Sequence, residues 1–584
     1  MNTEWSLDVL YKGYDDPAYQ QDLVNLDTLI NKLHTFAENV GKNSDKDTVL
    51  EYIALTEEFS LLVTKLYSYT ELRESTDTTN SETTSYLNRI QSKISATSKD
   101  SAKIDKYVAN LSNLDDIVAS DESLKEYTFF FNELKDRASH TLSDDVEEVI
   151  AKLNLSAGSA WSSLQQYLTS TVEVDYNGEK TTLSGIRNLA YSKDKEVRKA
   201  AYEAEIACYD KIKDAVSFSL NNIKSQVNTI AELRGYESPL AMTLKQASMS
   251  RETLDAMLTA MREYMPKFHE YLKRKATILG YKNGLPWYEL FAPLGENHVE
   301  YTTESAKEYL LKHFRNFADD LADMVEDAFD NSWIDFFPRK GKVGGAFCAN
   351  LPFIKQSRVL TNFDGAFGDV VTLAHELGHA YHGLQIQGHR PLNLDYSMPV
   401  AETASTFNEN VIMDAAIHEA NGTDKLVLID NQLQDTTQII CDIYSRFLFE
   451  SAVFERRKDE FLFSDDLEKI MLNAQKQAFG DSLEEDTLHP YMWINKGHYY
   501  SESLSFYNFP YAFGGLFARG LYTIYQQEGK DFVPKYRALL KATTVSSVED
   551  VAKMAGIDTT KPDFWRQSLQ SYANEIDEFL ALTK

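Results

Sequence analysis

Residues 375–379 read His-Glu-Leu-Gly-His, and the two histidines and the glutamate are the side chains most able to do chemistry. Two histidines four apart on a helix project from one face, one turn apart. That spacing lets both imidazoles reach one zinc ion, with ring nitrogens about 2.0–2.1 Å from the metal. The glutamate between them stands beside the ion, where it can take a proton from an attacking water. The pattern implies metal-dependent hydrolysis, most readily of a peptide bond. A bland alternative is a surface helix carrying two solvated histidines. The flanks argue against it: Val370, Val371, Leu373, Ala374, Leu377, Ala380 and Tyr381 make an almost wholly apolar helix. Such a helix is buried, and buried histidines need partners.

Spacing also constrains the third ligand. His382 shares the stripe of His375 and His379, but it rises about 10.5 Å beyond His375 at 1.5 Å per residue. That is too far for all three to close on one ion, so His382 is expected to pack or to support a ligand. A metzincin would need Gly at position 382 and His at 385; the chain has His382 and Gln385. Ser397-Met398-Pro399 reads as a helix start, with Ser397 as N-cap and a proline in the first turn. The helix it opens is expected to run to about residue 420 and stop at Asn421-Gly422. On it Glu402, Ser405, Thr406 and Glu409 share one face. Glu402 follows His379 by 23 residues, room for a loop and an antiparallel return. His375, His379 and Glu402 with an open fourth position form the catalytic kind of zinc site. Glu409 is then expected to accept a hydrogen bond from a ligand histidine.

Three stretches together closely resemble the oligoendopeptidase F family, relatives of thimet oligopeptidase and neurolysin. They are Gly344-Gly345-Ala346-Phe347-Cys348, Asp369 through His382, and Val400-Ala401-Glu402-Thr403-Ala404-Ser405. The opening Trp5-Ser6-Leu7-Asp8-Val9-Leu10-Tyr11 is similar too, and the resemblance covers essentially the whole chain. It implies one zinc ion held by His375, His379 and Glu402, with Glu376 as general base. It also implies a histidine and tyrosines, in a late tyrosine-rich segment, that stabilise the transition state. Here His498 matches the histidine. Tyr507 and Tyr511 are the candidate tyrosines, with Tyr500 in reserve, because the tyrosine spacing departs from that of the relatives. The family fold implies a helical N-terminal part facing a catalytic part across a deep cleft. Such a cleft would admit short, unfolded peptides and exclude folded proteins.

Gly344, Gly345, Ala346 and Phe347 read as a strand shortly before the zinc helix. Glycines there permit another backbone to approach. The expectation is that this edge binds the peptide substrate as an added strand. Rival readings are a helical metallocarboxypeptidase or dipeptidyl carboxypeptidase, and a non-catalytic peptide-binding protein. The carboxypeptidases need a cationic or donor group for the terminal carboxylate, and no local signature for one is evident; a binding module would need no open metal site with a base beside it.

The elements that must position these residues are mostly helices. Apolar recurrence at helical spacing marks residues 21–40, 46–74, 81–110, 115–137 and 143–154. It resumes at about 185–234, 250–280, 303–328, 425–460, 465–479, 515–527 and 561–582. Small β elements are expected at 171–183, alternating around Asn177-Gly178, and near 332–362. The hairpin suggests a boundary between an N-terminal helical domain, residues 1–185, forming one wall of the cleft, and a catalytic domain, 186–584. The 584 residues allow a large core and more than one domain. Cys208, Cys348 and Cys441 are too few and too scattered for a disulfide framework or a cysteine zinc site. A formal charge of −30 argues against nucleic acid or an anionic membrane as partner. No signal-peptide pattern or 18-residue apolar run is evident, so a cytoplasmic protein acting on oligopeptides is expected.

Overall fold

A computed structural model describes residues 2–295 and 299–584. Helices dominate, with two small sheets among the described residues. Many helices start where the sequence supplies a cap. Ser44 accepts the Asp47 N–H at 3.2 Å to open the helix Asp45–Thr76, and Asp16 caps Pro17–Asn39, with proline in its first turn. These side chains satisfy amide donors that the first turn leaves without a helical partner.

Several helices depart from the expected spans for identifiable reasons. The stretch 81–110 divides at Thr97 into Ser81–Ala96 and Ser98–Ala109. The Thr97 hydroxyl donates back to the Ile94 carbonyl at 2.7 Å, a local bond that competes with the helix ladder. The stretch 185–234 resolves into Leu183–Asn188, Lys195–Tyr209 and Lys213–Leu233, with Asp194 capping the second. The stretch 425–460 is interrupted by a π-turn, Gln438–Asp442. Helix Gly158–Thr171 was hidden by its polar composition. Its buried Gln165 is held by a hydrogen bond to the Ile494 carbonyl at 2.8 Å.

The first sheet is a hairpin, β1 (Glu173–Tyr176) against β2 (Glu179–Thr182), at the expected place. Asn177 (φ 51°) and Gly178 (φ 83°) make its two-residue turn, the left-handed pair that matches strand twist. The second sheet contains β3 (Ile334–Asp335), β4 (Phe347–Leu351) and β5 (Gln356–Leu360), in the order β3-β5-β4. β3 runs parallel to β5 and β4 antiparallel to it, so β4 is an edge. The expected strand at 344–347 therefore begins only at Phe347. Gly344 and Gly345 form a bend, with Gly345 at φ 79°.

The chain folds as two compact units. The first comprises Met1–His140, Val299–Ile412 and Gln527–Ala555; the second comprises Thr141–His298, Met413–Gln526 and Gly556–Lys584. The division expected at residues 185/186 falls inside the second unit, beyond the hairpin. In the first unit a tyrosine cluster sets Tyr11 edge-on to Tyr19 and to Tyr69, each at 5.0 Å between ring centroids. Leu351 of β4 packs into the same cluster, which anchors the sheet on the N-terminal helices. In the second unit helix Arg251–Ile278 packs along Pro562–Leu582, with Tyr271 against Phe579. Its interior includes ion pairs Lys224–Glu450 (2.6 Å) and Lys275–Asp430 (3.4 Å). A buried charge with a close partner avoids most of the penalty of an isolated one. Among the described residues no helix is long and apolar enough to cross a membrane.

Candidate metal centre

The motif helix spans Phe367–Ile386 and belongs to the first unit. Asp369 starts it: one carboxylate oxygen accepts the N–H groups of Asp364, Gly365 and Ala366, each at 3.0 Å. Val370, Leu373, Ala374, Leu377, Ala380 and Tyr381 are buried along it, as the apolar flanks predict. Gly378 is where the return helix crosses. A methyl group there would meet the Ala404 carbonyl oxygen and the Ser405 Cα at 2.5 Å, so only glycine permits this approach. The buried Asn408 amide donates to the Ala374 carbonyl at 3.1 Å and ties the two helices together. On the sheet side, Asn350 of β4 fills the space beside Gly383 and reaches the His379 carbonyl at 3.4 Å.

The return segment is not the continuous helix expected from residue 399. A single turn, Met398–Ala401, ends at Glu402, and a second helix, Thr403–Glu419, follows. Glu402 itself has φ −91° and ψ 9°, a sparsely populated region common in active sites. Ser397 sits at the N-cap position, but its side chain makes no capping bond.

This break lies at the centre of the site. Glu402 Oε2 is 3.3 Å from His375 Nε2 and 3.4 Å from His379 Nε2. Ligands about 2.0–2.1 Å from a tetrahedral ion stand about 3.3 Å apart along the edges of the tetrahedron. Both separations from the carboxylate oxygen to the imidazole nitrogens thus match those around a tetrahedral divalent metal ion. Ser405, on the same face of the return helix, donates to the same Oε2 at 2.6 Å and fixes its direction. Glu409 hydrogen-bonds His375 Nδ1, leaving Nε2 facing Glu402.

The electrostatics agree with a cation-binding role. Burial alone would lower the His375 pKa, but the carboxylates of Glu402 and Glu409 outweigh it and raise it to about 10. Burial would likewise raise Glu402, yet the two imidazoles hold it well below the carboxylate range. The cluster therefore demands positive charge, which a proton supplies when no metal does. Ligating atoms of His375, Glu376 and His379 lie within 4.8 Å of one another. Glu376 is 6% exposed, and burial pushes its carboxyl above the usual range against the opposing pull of both histidines.

His382 lies outside this set. It is fully buried, stacks on Tyr396 at 4.2 Å between centroids, and pairs through Nε2 with Thr543 Oγ1 at 2.8 Å. Tyr396 and Ser405 were not singled out as functional in the sequence. Ser405 shared the ligand face and its hydroxyl could have been read as a brace; Tyr396 carried no such signal. Burial, then the nearby Glu376, raises the Cys348 thiol far above its ordinary value, which leaves it protonated.

The late tyrosine-rich segment belongs to the second unit. His498 lies in a 3₁₀ turn, Gly497–Tyr500, and its Nδ1 faces Asn508 Oδ1 at 3.1 Å. Its ring meets Tyr507 edge-on at 4.6 Å and lies nearly parallel to Tyr511 at 6.0 Å. Burial lowers the His498 pKa, so the ring is neutral at neutral pH. Tyr511 is 40% exposed. Tyr500 is different: it is buried, and its hydroxyl donates to the Trp493 carbonyl at 2.8 Å. That hydroxyl is engaged in the core, which separates Tyr500 from the other two.

A helical fold in which two histidines and a carboxylate converge, with a buried glutamate alongside, has the arrangement of a metallopeptidase site. The sequence model of peptidase family M3 matches residues 188–571, and that of Oligopeptidase F matches residues 110–173. The chain belongs to peptidase family M3 and is a metalloendopeptidase. It is 24% identical to Oligopeptidase PepF of Bacillus subtilis, over 98% of this chain and 86% of that protein. It is also 24% identical to Group B oligopeptidase PepB of Streptococcus agalactiae, over 98% and 96% of the two chains. Oligoendopeptidase-F from Enterococcus faecium has the same fold at 19% identity, with a TM-score of 0.71 over 97% of this chain and 98% of that one.

Proposed function

We propose that the chain is a zinc-dependent oligoendopeptidase that hydrolyses internal bonds of short, unfolded peptides. The observation that carries this reading is one carboxylate oxygen of Glu402 at 3.3 and 3.4 Å from the Nε2 atoms of two histidines. His375, His379 and Glu402 would hold the ion and leave one position open. Zinc, when bound, supplies Lewis acidity that activates water and polarises a carbonyl. Glu376 takes the proton of the attacking water and passes it to the leaving amine; its burial and raised pKa suit a group that must first accept and then give. Glu409 keeps His375 oriented by holding its Nδ1 proton.

In the second unit, His498 and a hydroxyl of Tyr507 or Tyr511 are the proposed donors to the developing oxyanion. Asn508 Oδ1 accepts from Nδ1–H, so His498 would donate through Nε2 only as the imidazolium, the form a developing oxyanion favours. Edge strand β4, entered through the Gly344–Gly345 bend, is the proposed docking line for an extended peptide. Substrates with N-methylated backbone amides test this: kcat/KM should fall, and unchanged kinetics would remove the strand-addition idea. The chemistry itself is tested by Glu376→Gln with zinc content measured on the same sample. Zinc-loaded protein that has lost peptide cleavage is expected; zinc-loaded protein that cleaves at the wild-type rate would overturn the assignment.

A further inference from the structure

The second unit contains a cavity of about 230 Å³ lined by cationic and aromatic side chains, with Glu205 as its carboxylate. Tyr191 packs on Phe291 at 4.9 Å, and Tyr202 on Tyr288 at 5.5 Å. Arg187, Arg198, Arg446 and Lys496 all line it, a concentration of positive charge in a chain of net charge −30.

Three of these cations are paired: Arg187 with Glu205, Arg198 with Glu289 at 2.5 Å, and Arg446 with Asp442. The Lys496 ammonium has no carboxylate at ion-pair distance and no hydrogen bond among the described residues. Arg446 uses Nη1 to reach Asn508 Oδ1 at 3.0 Å, yet among the described residues its buried Nε has no acceptor, and neither has the buried Asn508 Nδ2. In the lining itself, a buried Arg446 donor without an acceptor and an unpaired Lys496 ammonium are costly unless something negative completes them. Burial, and then Arg446 nearby, drops Lys496 to about 8, because Asp442 and Glu205 lie too far off to offset the burial. The π-turn Gln438–Asp442 forms part of the same site, with Gln438 in the lining and Asp442 holding Arg446. Single π-turns are rare and concentrate at functional sites.

We propose that this cavity binds a carboxylate carried on an aromatic or bulky apolar body. Lys496 and Arg446 take the charge, and the Tyr191–Phe291 and Tyr202–Tyr288 pairs take the body. The carboxylate can come from the C-terminus of a peptide or from a free small acid. The site goes beyond peptide hydrolysis, and binding to it requires no turnover, so its failure is distinguishable from failure of the peptidase reading.

The binding test compares N-acetylphenylalanine with N-acetylphenylalaninamide, which keeps the body and removes the charge. Calorimetry on the whole chain reads both, for wild type, Lys496→Met and Lys496→Arg. The acid should bind wild type about tenfold or more tighter than the amide. Lys496→Met should lose that preference, and Lys496→Arg should keep most of it. Equal binding of acid and amide, no binding of the acid at millimolar concentration, or an unchanged preference in a folded Lys496→Met protein would overturn the proposal. Circular-dichroism melts establish that the variants fold. A second arm assigns the source, using one peptide with a free or an amidated C-terminus. A free-acid preference in kcat/KM that disappears in Lys496→Met assigns the cavity to the peptide terminus. Cleavage indifferent to the terminus assigns it to a free acid.

Discussion

The His375–His379–Glu402 constellation of the first unit and the His498–tyrosine cluster of the second hold their side chains in different ways. In the first, each proposed ligand is braced by a further group: Ser405 on Glu402, Glu409 on His375, and Asn350 on the backbone of His379. In the second, His498 has one brace, Asn508, and two aromatic neighbours, one of them 40% exposed. Opposite charges buried together need fixed partners at all times. Donors that meet charge only during a reaction cannot be consumed by permanent partners.

Substitutions can break or sharpen this contrast. The largest effect is expected for His379→Ala, which should lose both bound zinc and peptide cleavage; stoichiometric zinc in that protein would break the ligand assignment. The wild-type site makes a companion prediction. With His375 raised to about 10 in the metal-free protein, metal must displace a proton below that pH. About one proton per ion should be released between pH 7 and 9. Calorimetry in buffers of different ionisation enthalpy measures it, and pH-independent affinity there would contradict the geometry.

Next comes Glu376→Gln, expected to reduce kcat by about 10²–10⁴ with zinc retained. His498→Ala should cost about 10²–10³ in kcat with a smaller change in KM. Tyr507→Phe and Tyr511→Phe compared side by side identify the donor, since only the acting hydroxyl should produce a loss of that size. If neither does, the second cluster is a packing feature and the contrast between the units disappears. Glu409→Gln is milder, about 10–100-fold in metal affinity or activity, because it loosens a ligand without removing it. Gly378→Ala is expected to act on stability, by about 1–3 kcal/mol, because the return helix must shift away from the added methyl. A thermal melt of the metal-free protein reads it, and an unchanged midpoint would show that the helix crossing is looser than its geometry indicates.

Much of the first site was legible in the chain because its signals are local. The helical period set His375 and His379 on one face, and the same period set Glu402 and Glu409 together on the next element. The apolar flanks marked the motif helix as buried, and Asn177-Gly178 marked the hairpin. Legibility failed where a single polar side chain redirects the backbone, as at Thr97, or where a polar helix is retained by one buried hydrogen bond, as at Gln165. It failed again at Gly344–Gly345, where alternation read as strand but a positive φ at Gly345 makes a bend.

By itself the sequence determined the helical class and the small sheets and pointed to the residues proposed for the motif's chemistry, since periodicity and residue type act over a few turns of chain. Only the tertiary structure decided that the return helix breaks at Glu402. It alone decided that Glu402 Oε2 faces both histidines, that Tyr500 is spent on the core, and that the units are assembled from three segments each. Those outcomes depend on which distant surfaces pack together. The crossing at Gly378 brings Glu402, 23 residues beyond His379, to 3.3 and 3.4 Å from the two rings, a placement that no spacing rule specifies.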